Sequence, residues 1–96
     1  MILTLDTRPI RDHLQLHAWF ADALAFPAYY GRNLDALHDM LTARAEPLAL
    51  TVLYADDFRA RFGGYAESVF AILQDSAAEN PSLHISIFSK ASGADE

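Results

Sequence analysis

Apolar residues along the chain change period several times, and each change marks an element. Ile2 to Asp6 reads as a short strand, closed by the Arg8-Pro9 turn. Asp12 then stands where a helix N-cap is expected, with Gln15 following as in a capping box. Leu14, Leu16, Phe20, Ala21 and Leu24 recur at helical spacing behind it. Phe26-Pro27 is expected to stop this helix, since the residue before a proline avoids the helical region. After the loop Ala28-Tyr29-Tyr30-Gly31-Arg32, Asn33 is placed to cap a second helix. That helix carries Leu34, Leu37, Met40 and Leu41 on one side and ends near Arg44, with Pro47 beyond.

Leu48 to Tyr54 is apolar almost throughout, as expected of a strand covered on both sides or lying centrally. Asp56 or Asp57 is placed to cap a short helix through Phe62, which Gly63-Gly64 breaks. Tyr65 to Glu79 is the longest helical pattern, with Ala66, Val69, Phe70, Leu73 and Ala77 as its inward stripe, and Asn80-Pro81 closes it. From Leu83 to Ser89 the pattern alternates, with Leu83, Ile85 and Ile87 on one face and His84, Ser86 and Phe88 on the other. The order is β-αα-β-αα-β. Strands separated by helices favour parallel pairing through right-handed crossovers, and two crossovers running the same way put every helix on one side. The fold class predicted is α/β: two layers, with a three-stranded parallel sheet in the order 1-2-3 and helices packed on one face.

The length of 96 residues suits one domain, read as residues 1–90, with the small polar stretch 91–96 expected to be a disordered tail. No apolar run approaches the ~18 residues of a membrane span. The N-terminal residues carry neither a basic region nor a cleavage site, which points to a cytoplasmic protein. Cysteine is absent, which excludes disulfides, thiolate zinc sites and cysteine nucleophiles. Thirteen acidic against seven basic residues leave a net charge of −6. Such a surface repels nucleic-acid phosphates and attracts a basic protein.

Candidate chemistry concentrates between Pro27 and Met40. Asp35 and Asp39 are four apart on one helix and share a face, where like charges cost a few tenths of a kcal/mol. The helix dipole accounts for Asp35 in the first turn. It does not account for Asp39, whose helical neighbours Asp35, Ala36, Thr42 and Ala43 include no base. Tyr29 and Tyr30 lie just upstream, and exposed aromatics often anchor interfaces. The segment is thus either a solvated acidic face with two partly buried tyrosines or a binding surface. Catalytic readings are poorer. His13 and His17 have a metal-compatible spacing but lack a third ligand, and one buried and one exposed histidine is the simpler reading. Ser68 and Ser76 lack a nucleophile elbow, and Gly63-Gly64 reads as a turn. No enzyme, metal or cofactor is therefore expected.

The run FPAYYGRNLDALHDMLT, Phe26 to Thr42, resembles the signature of the barstar family of intracellular inhibitors of barnase-type ribonucleases. Leu16-His17 and Ala66-Glu67-Ser68-Val69 extend the resemblance, and the elements fit from Met1 to about Ser89. The resemblance implies the two-layer fold already derived. It further implies that the second helix and its preceding loop enter a ribonuclease active site. Tyr29 would cover the catalytic residues. Asp39 would replace a substrate phosphate against arginines or a lysine. Asp35 would meet the basic rim, with Tyr30, Asn33 and Leu34 lining the same contact. On the last helix Asp75 corresponds to a family glutamate that makes a peripheral ion pair, and Ile72 to an apolar contact. The implied partner is a basic ribonuclease, extracellular or toxin-like, bound one-to-one by an inhibitor that is monomeric when free.

The departures bear on the rim. Met40 and Leu83 stand where the family archetype has cysteines, which are core-like exchanges. His38 and Arg44 stand at tryptophan positions, and Arg32 at an acidic one. Arg32 or Arg44 is thus expected to face acidic groups at the rim of this chain's own partner, with His38 beside the contact. An alternative is an interaction or immunity module of the same fold that binds a different toxin or a non-nuclease partner.

Overall fold

Each change of period becomes an element in the computed structural model, which describes residues 1–91. In chain order these are β1 (Ile2–Asp6), α1 (His13–Leu24), α2 (Leu34–Thr42), β2 (Leu48–Leu53), α3 (Ala55–Phe62), α4 (Gly64–Glu79) and β3 (Leu83–Ile87). The strands pair in parallel in the order β1-β2-β3. The α/β sheet predicted from the sequence is therefore the one observed. Residues 92–96 of the expected tail lie outside the described residues.

Register decides which strand residues meet the helices. Leu3, Leu50 and Ile85 form one cross-strand row, and Leu5, Val52 and Ile87 the next on the same face. The opposite face carries the rows Ile2, Ala49, His84 and Thr4, Thr51, Ser86. Buried strand residues (Leu5, Leu48, Leu50, Val52 and Leu83) all belong to the first face. They join Leu16, Phe20, Leu37, Leu41, Phe58, Val69 and Leu73 from the helices in one core. The central β2 alternates buried and half-buried positions, so its apolar run reflects central placement rather than two covered faces. Among the described residues no helix is long and apolar enough to cross a membrane.

Several boundaries differ from expectation. Asp12 does cap α1 through the Gln15 amide, but Gln15 reaches back to the Arg11 amide rather than to that of Asp12. Leu14, expected in the inward stripe, is 65% exposed. It lies about 200° around the helix from Leu16, and the buried set is instead Leu16, His17, Phe20 and Leu24. The helix ends before Phe26, because Ala25 turns into the left-handed region at φ 53°. Neither Asp56 nor Asp57 caps α3. The helix starts at Ala55, and the amides of Tyr54, Ala55 and Asp56 donate to the carbonyls of Lys90, Phe88 and Ser89. Backbone just beyond the neighbouring strand β3 thus does what a capping side chain would do. The two aspartates fall in the first turn and pair with Arg59 and Arg61.

Candidate target-binding face

The loop before α2 is shaped by close backbone approaches. A Cβ on Gly31 would lie 3.3 Å from the Ala36 side chain and from Asn33 Nδ2. Arg32 takes a left-handed φ of 54°, a conformation that costs a non-glycine residue about 1 kcal/mol or more. Asn33 then begins the helix as predicted. Its Oδ1 accepts from the Ala36 amide at 2.8 Å, and its Nδ2 donates to the Gly31 carbonyl at 3.3 Å. One side chain thus fixes both the loop and the first turn. Asn33→Ala is expected to lower unfolding free energy by about 1 kcal/mol, read as a shifted urea midpoint. A midpoint equal to that of wild type would show that the cap is dispensable.

The helix is amphipathic in the sense its sequence predicts. Leu37 and Leu41 are buried, and Leu34, Ala36 and Met40 are half-buried against the core. Asp35 and Asp39 point outward, the Asp39 side chain being 84% exposed. Tyr29 stands 81% exposed just before the helix. Tyr30, expected beside it at the contact, is instead buried. Its hydroxyl lies 2.6 Å from His17 Nδ1, and its ring packs on Phe26. The reason is tertiary: His17 is a buried polar residue of α1 that needs partners, and Tyr65 serves its other nitrogen at 3.2 Å. Burial pushes the Tyr30 hydroxyl up to about 12, so it stays protonated and holds this bond. His13, outside this network, stacks on Tyr65 at 3.5 Å between ring centres.

Two acidic residues of α4 border α2. Glu79 accepts from His38 Nε2 at 2.5 Å, and His38 Nδ1 lies 3.9 Å from the Asp39 carboxylate. Asp75 is exposed and Ile72 is half-buried on the same helix. His38 is held above its ordinary value, first by the hydrogen bond to Glu79 and then by the charges of Glu79, Asp39 and Asp75. Glu79 joins Asp39, His38 and Asp75 at this face; its spacing of four from Asp75, which puts it on the same side of α4, is the signal in the sequence that points to it.

Arg44 is less free than expected of a rim cation. Its side chain is only 15% exposed and lies against Glu46 and the Met1 sulfur. It lines a cleft of about 440 Å³ together with Met1, Ala23, Leu24, Ala25, Ala45 and Glu46. Among the described residues, no group of three or more histidines, aspartates or glutamates is arranged to hold a metal ion.

His17 and His38 give the face opposite responses to acid. Burial, and then the charges of His13 and Arg32, hold His17 below its ordinary 6.5. The unfolded chain therefore takes up that proton first. Stability is complete above about pH 6.5 and is lost as pH falls from there through the folded-state value. His38 is shifted upward, so its contribution is complete below about pH 6.5 and is lost as pH rises through its folded-state value. The two slopes have opposite signs and lie on either side of about pH 6.5. His38→Ala is accordingly expected to lose the rise in urea midpoint that the wild type gains through His38 as pH falls toward about 6.5. Equal slopes in the two proteins would show that Glu79 contributes nothing through His38.

The match to known proteins follows the same elements. The family described as Barstar (barnase inhibitor) matches residues 1–89. A Bacillus subtilis (strain 168) protein named "Putative ribonuclease inhibitor YrdF" is 37% identical over 78 residues, covering 80% of this chain and 86% of that protein.

Proposed function

The chain belongs to the barstar family, and on that footing we propose that it inhibits a ribonuclease by laying α2 and the preceding loop across the enzyme's active site. The observation that carries this reading is a contrast among carboxylates. Asp6, Glu46, Asp56, Asp57 and Glu67 each pair with an arginine of this chain. Among the described residues, no arginine or lysine lies within ion-pair distance of Asp35, Asp39 or Asp75; of the other carboxylates without one, Asp12 caps α1, Glu79 accepts from His38, and Asp22 lies on α1. The face thus holds unspent negative charge on a rigid helix. A ribonuclease gathers positive charge to hold RNA phosphates. Carboxylates on this helix satisfy those cations through charge-assisted hydrogen bonds and offer no cleavable bond.

In this reading Asp39 takes the phosphate position, and Asp35, Asn33 and Leu34 line the contact. Tyr29 covers the catalytic groups, while Tyr30 acts from beneath by holding the loop. Ile72 and Asp75 form the far edge. The partner is a basic ribonuclease, extracellular or toxin-like, bound one-to-one through the single unit of residues 1–90. The inhibitor itself is neither catalytic nor dependent on a cofactor, and it protects its own cell from the cytoplasm. The net charge of −6 speeds encounter with such a partner at low salt.

A second reading draws on the rim. His38 engages Glu79, and Arg44 is drawn in beside Glu46. Both features fit an immunity module whose partner differs from barnase, whether another toxin or a non-nuclease. Titrating the protein into RNA hydrolysis by a panel of small basic microbial ribonucleases separates the two. The first reading expects activity to vanish at a one-to-one endpoint for at least one enzyme. Full activity throughout, with a non-nuclease captured from the source lysate, would establish the second.

A further inference from the structure

We infer that Asn80 is a positioning residue for the target-binding helix, acting by locking the C-terminal end of α2 to the turn between α4 and β3. This rests on α2 being the contact helix. The helix has only nine residues, and helices shorter than about 12–15 residues are marginal without tertiary support. Asn33 secures its first turn. Its last turn lacks intrahelical partners for its carbonyls, and Asn80 meets that need from the other side of the fold.

Asn80 is buried, and each of its polar groups is engaged. Its Nδ2 donates to the carbonyls of Leu41 and Arg44, both at 2.9 Å, and its Oδ1 accepts from the Ser82 amide at 3.0 Å. Its backbone amide donates to Ser76, and its carbonyl accepts from Leu83. The Leu48 amide donates to the Ser82 carbonyl, so the same turn also fixes the entry to β2. The Asn80 side chain, together with the backbone of its turn, therefore joins the end of α2, the end of α4 and the starts of two strands. Asparagine suits the place. Aspartate would set a carboxylate against two carbonyls, and alanine would leave both carbonyls buried and unpaired.

The clamp governs function through geometry. Leu41 lies two residues beyond Asp39, so holding its carbonyl fixes both the rotation and the axial position of the helix that aims Asp39. Holding the Arg44 carbonyl fixes where that guanidinium emerges. Binding sites built on charge-assisted hydrogen bonds need their groups held to within about 0.5 Å. The His38–Glu79 bond also ties α2 to α4, but it is half-exposed and titrates, whereas the Asn80 clamp is buried and does not.

The test uses the whole chain, free and bound. In the free protein, Asn80→Ala should speed amide hydrogen exchange at residues 40–43 and leave the β1–β2 amides as in wild type. Against a ribonuclease that the wild type inhibits, Asn80→Ala should weaken binding about tenfold, but less than about twofold when Asp39 is already alanine. That non-additivity separates positioning from general stability. Asn80→Asp keeps the acceptor for Ser82 and removes both donors, so it should repeat the result if the alanine variant folds poorly. Unchanged exchange in α2, or an equal loss with and without Asp39, overturns the inference. If the wild type inhibits no ribonuclease, the proposed function falls, and exchange in the free protein alone decides whether Asn80 clamps α2.

Discussion

Asp39→Ala is expected to weaken ribonuclease binding by about 2–5 kcal/mol, roughly thirty- to several-thousand-fold, while leaving the unfolding midpoint almost unchanged. The two halves of this result have separate causes. The Asp39 side chain is 84% exposed and makes no ion pair with an arginine or lysine among the described residues, so the free protein loses little without it. Its removal even relieves a like-charge contact with Asp35, worth a few tenths of a kcal/mol. In the complex the same deletion strands the partner's phosphate-binding cations in a desolvated interface, which is the expensive half of breaking a buried charge pair. Asp56→Ala is the matched control. It removes one carboxylate and hence the same net charge, but Asp56 lies in α3 and pairs with Arg59 at 3.4 Å. An exposed pair of that kind is worth at most about 1 kcal/mol to stability, and its loss should change affinity by less than about twofold. Titration calorimetry of the three proteins at one ionic strength decides the matter. If both variants bind as wild type, the outer face of α2 is only solvated. If both weaken equally, net charge matters and the position of Asp39 does not.

The parts of this picture that were legible in the sequence are those set by neighbours along the chain. Asn33 caps a helix because its side chain reaches its own N-terminal amides, and the leucine spacing of α2 then dictates which way Asp35 and Asp39 face. The same local logic gives the central β2 and the half-wet β3. What escaped notice depends on contacts between distant segments. Tyr30 looks like a second surface aromatic until His17, thirteen residues earlier, claims its hydroxyl. Asn80 reads as a helix stop, and nothing near it in the chain announces that its amide serves Leu41 and Arg44. The start of α3 is set by carbonyls of Phe88 to Lys90, so the aspartates that resembled caps were free to pair with arginines. Leu14 fits the helical spacing but finds no neighbour to cover it. The charge of Arg44 suggests a rim group, yet its position follows from how the chain folds back past Met1 and Glu46.

Leu37→Ala is expected to cost about 2–5 kcal/mol of stability, through lost burial and the cavity left behind. Leu37 is fully buried on the inner side of α2, and a domain of this kind is stabilised by only about 5–15 kcal/mol in total. The urea midpoint should therefore drop markedly, with the slope preserved if the native state keeps its compactness. Leu34→Ala offers the comparison, since Leu34 lies on the same helix but is only half-buried and should cost less. The consequence for binding is what links core to function. Leu37 and Asp39 are about 200° apart around the helix, so the leucine that seats α2 has no reach to a partner. A fall in affinity for Leu37→Ala, measured where the variant is still mostly folded, would then have to come through the seating of Asp35 and Asp39. The apparent affinity should fall in proportion to the fraction of molecules that hold the helix in place. Unaltered affinity together with a large loss of stability would mean that α2 reforms its geometry on the enzyme, and that the target supplies the rigidity here assigned to the core.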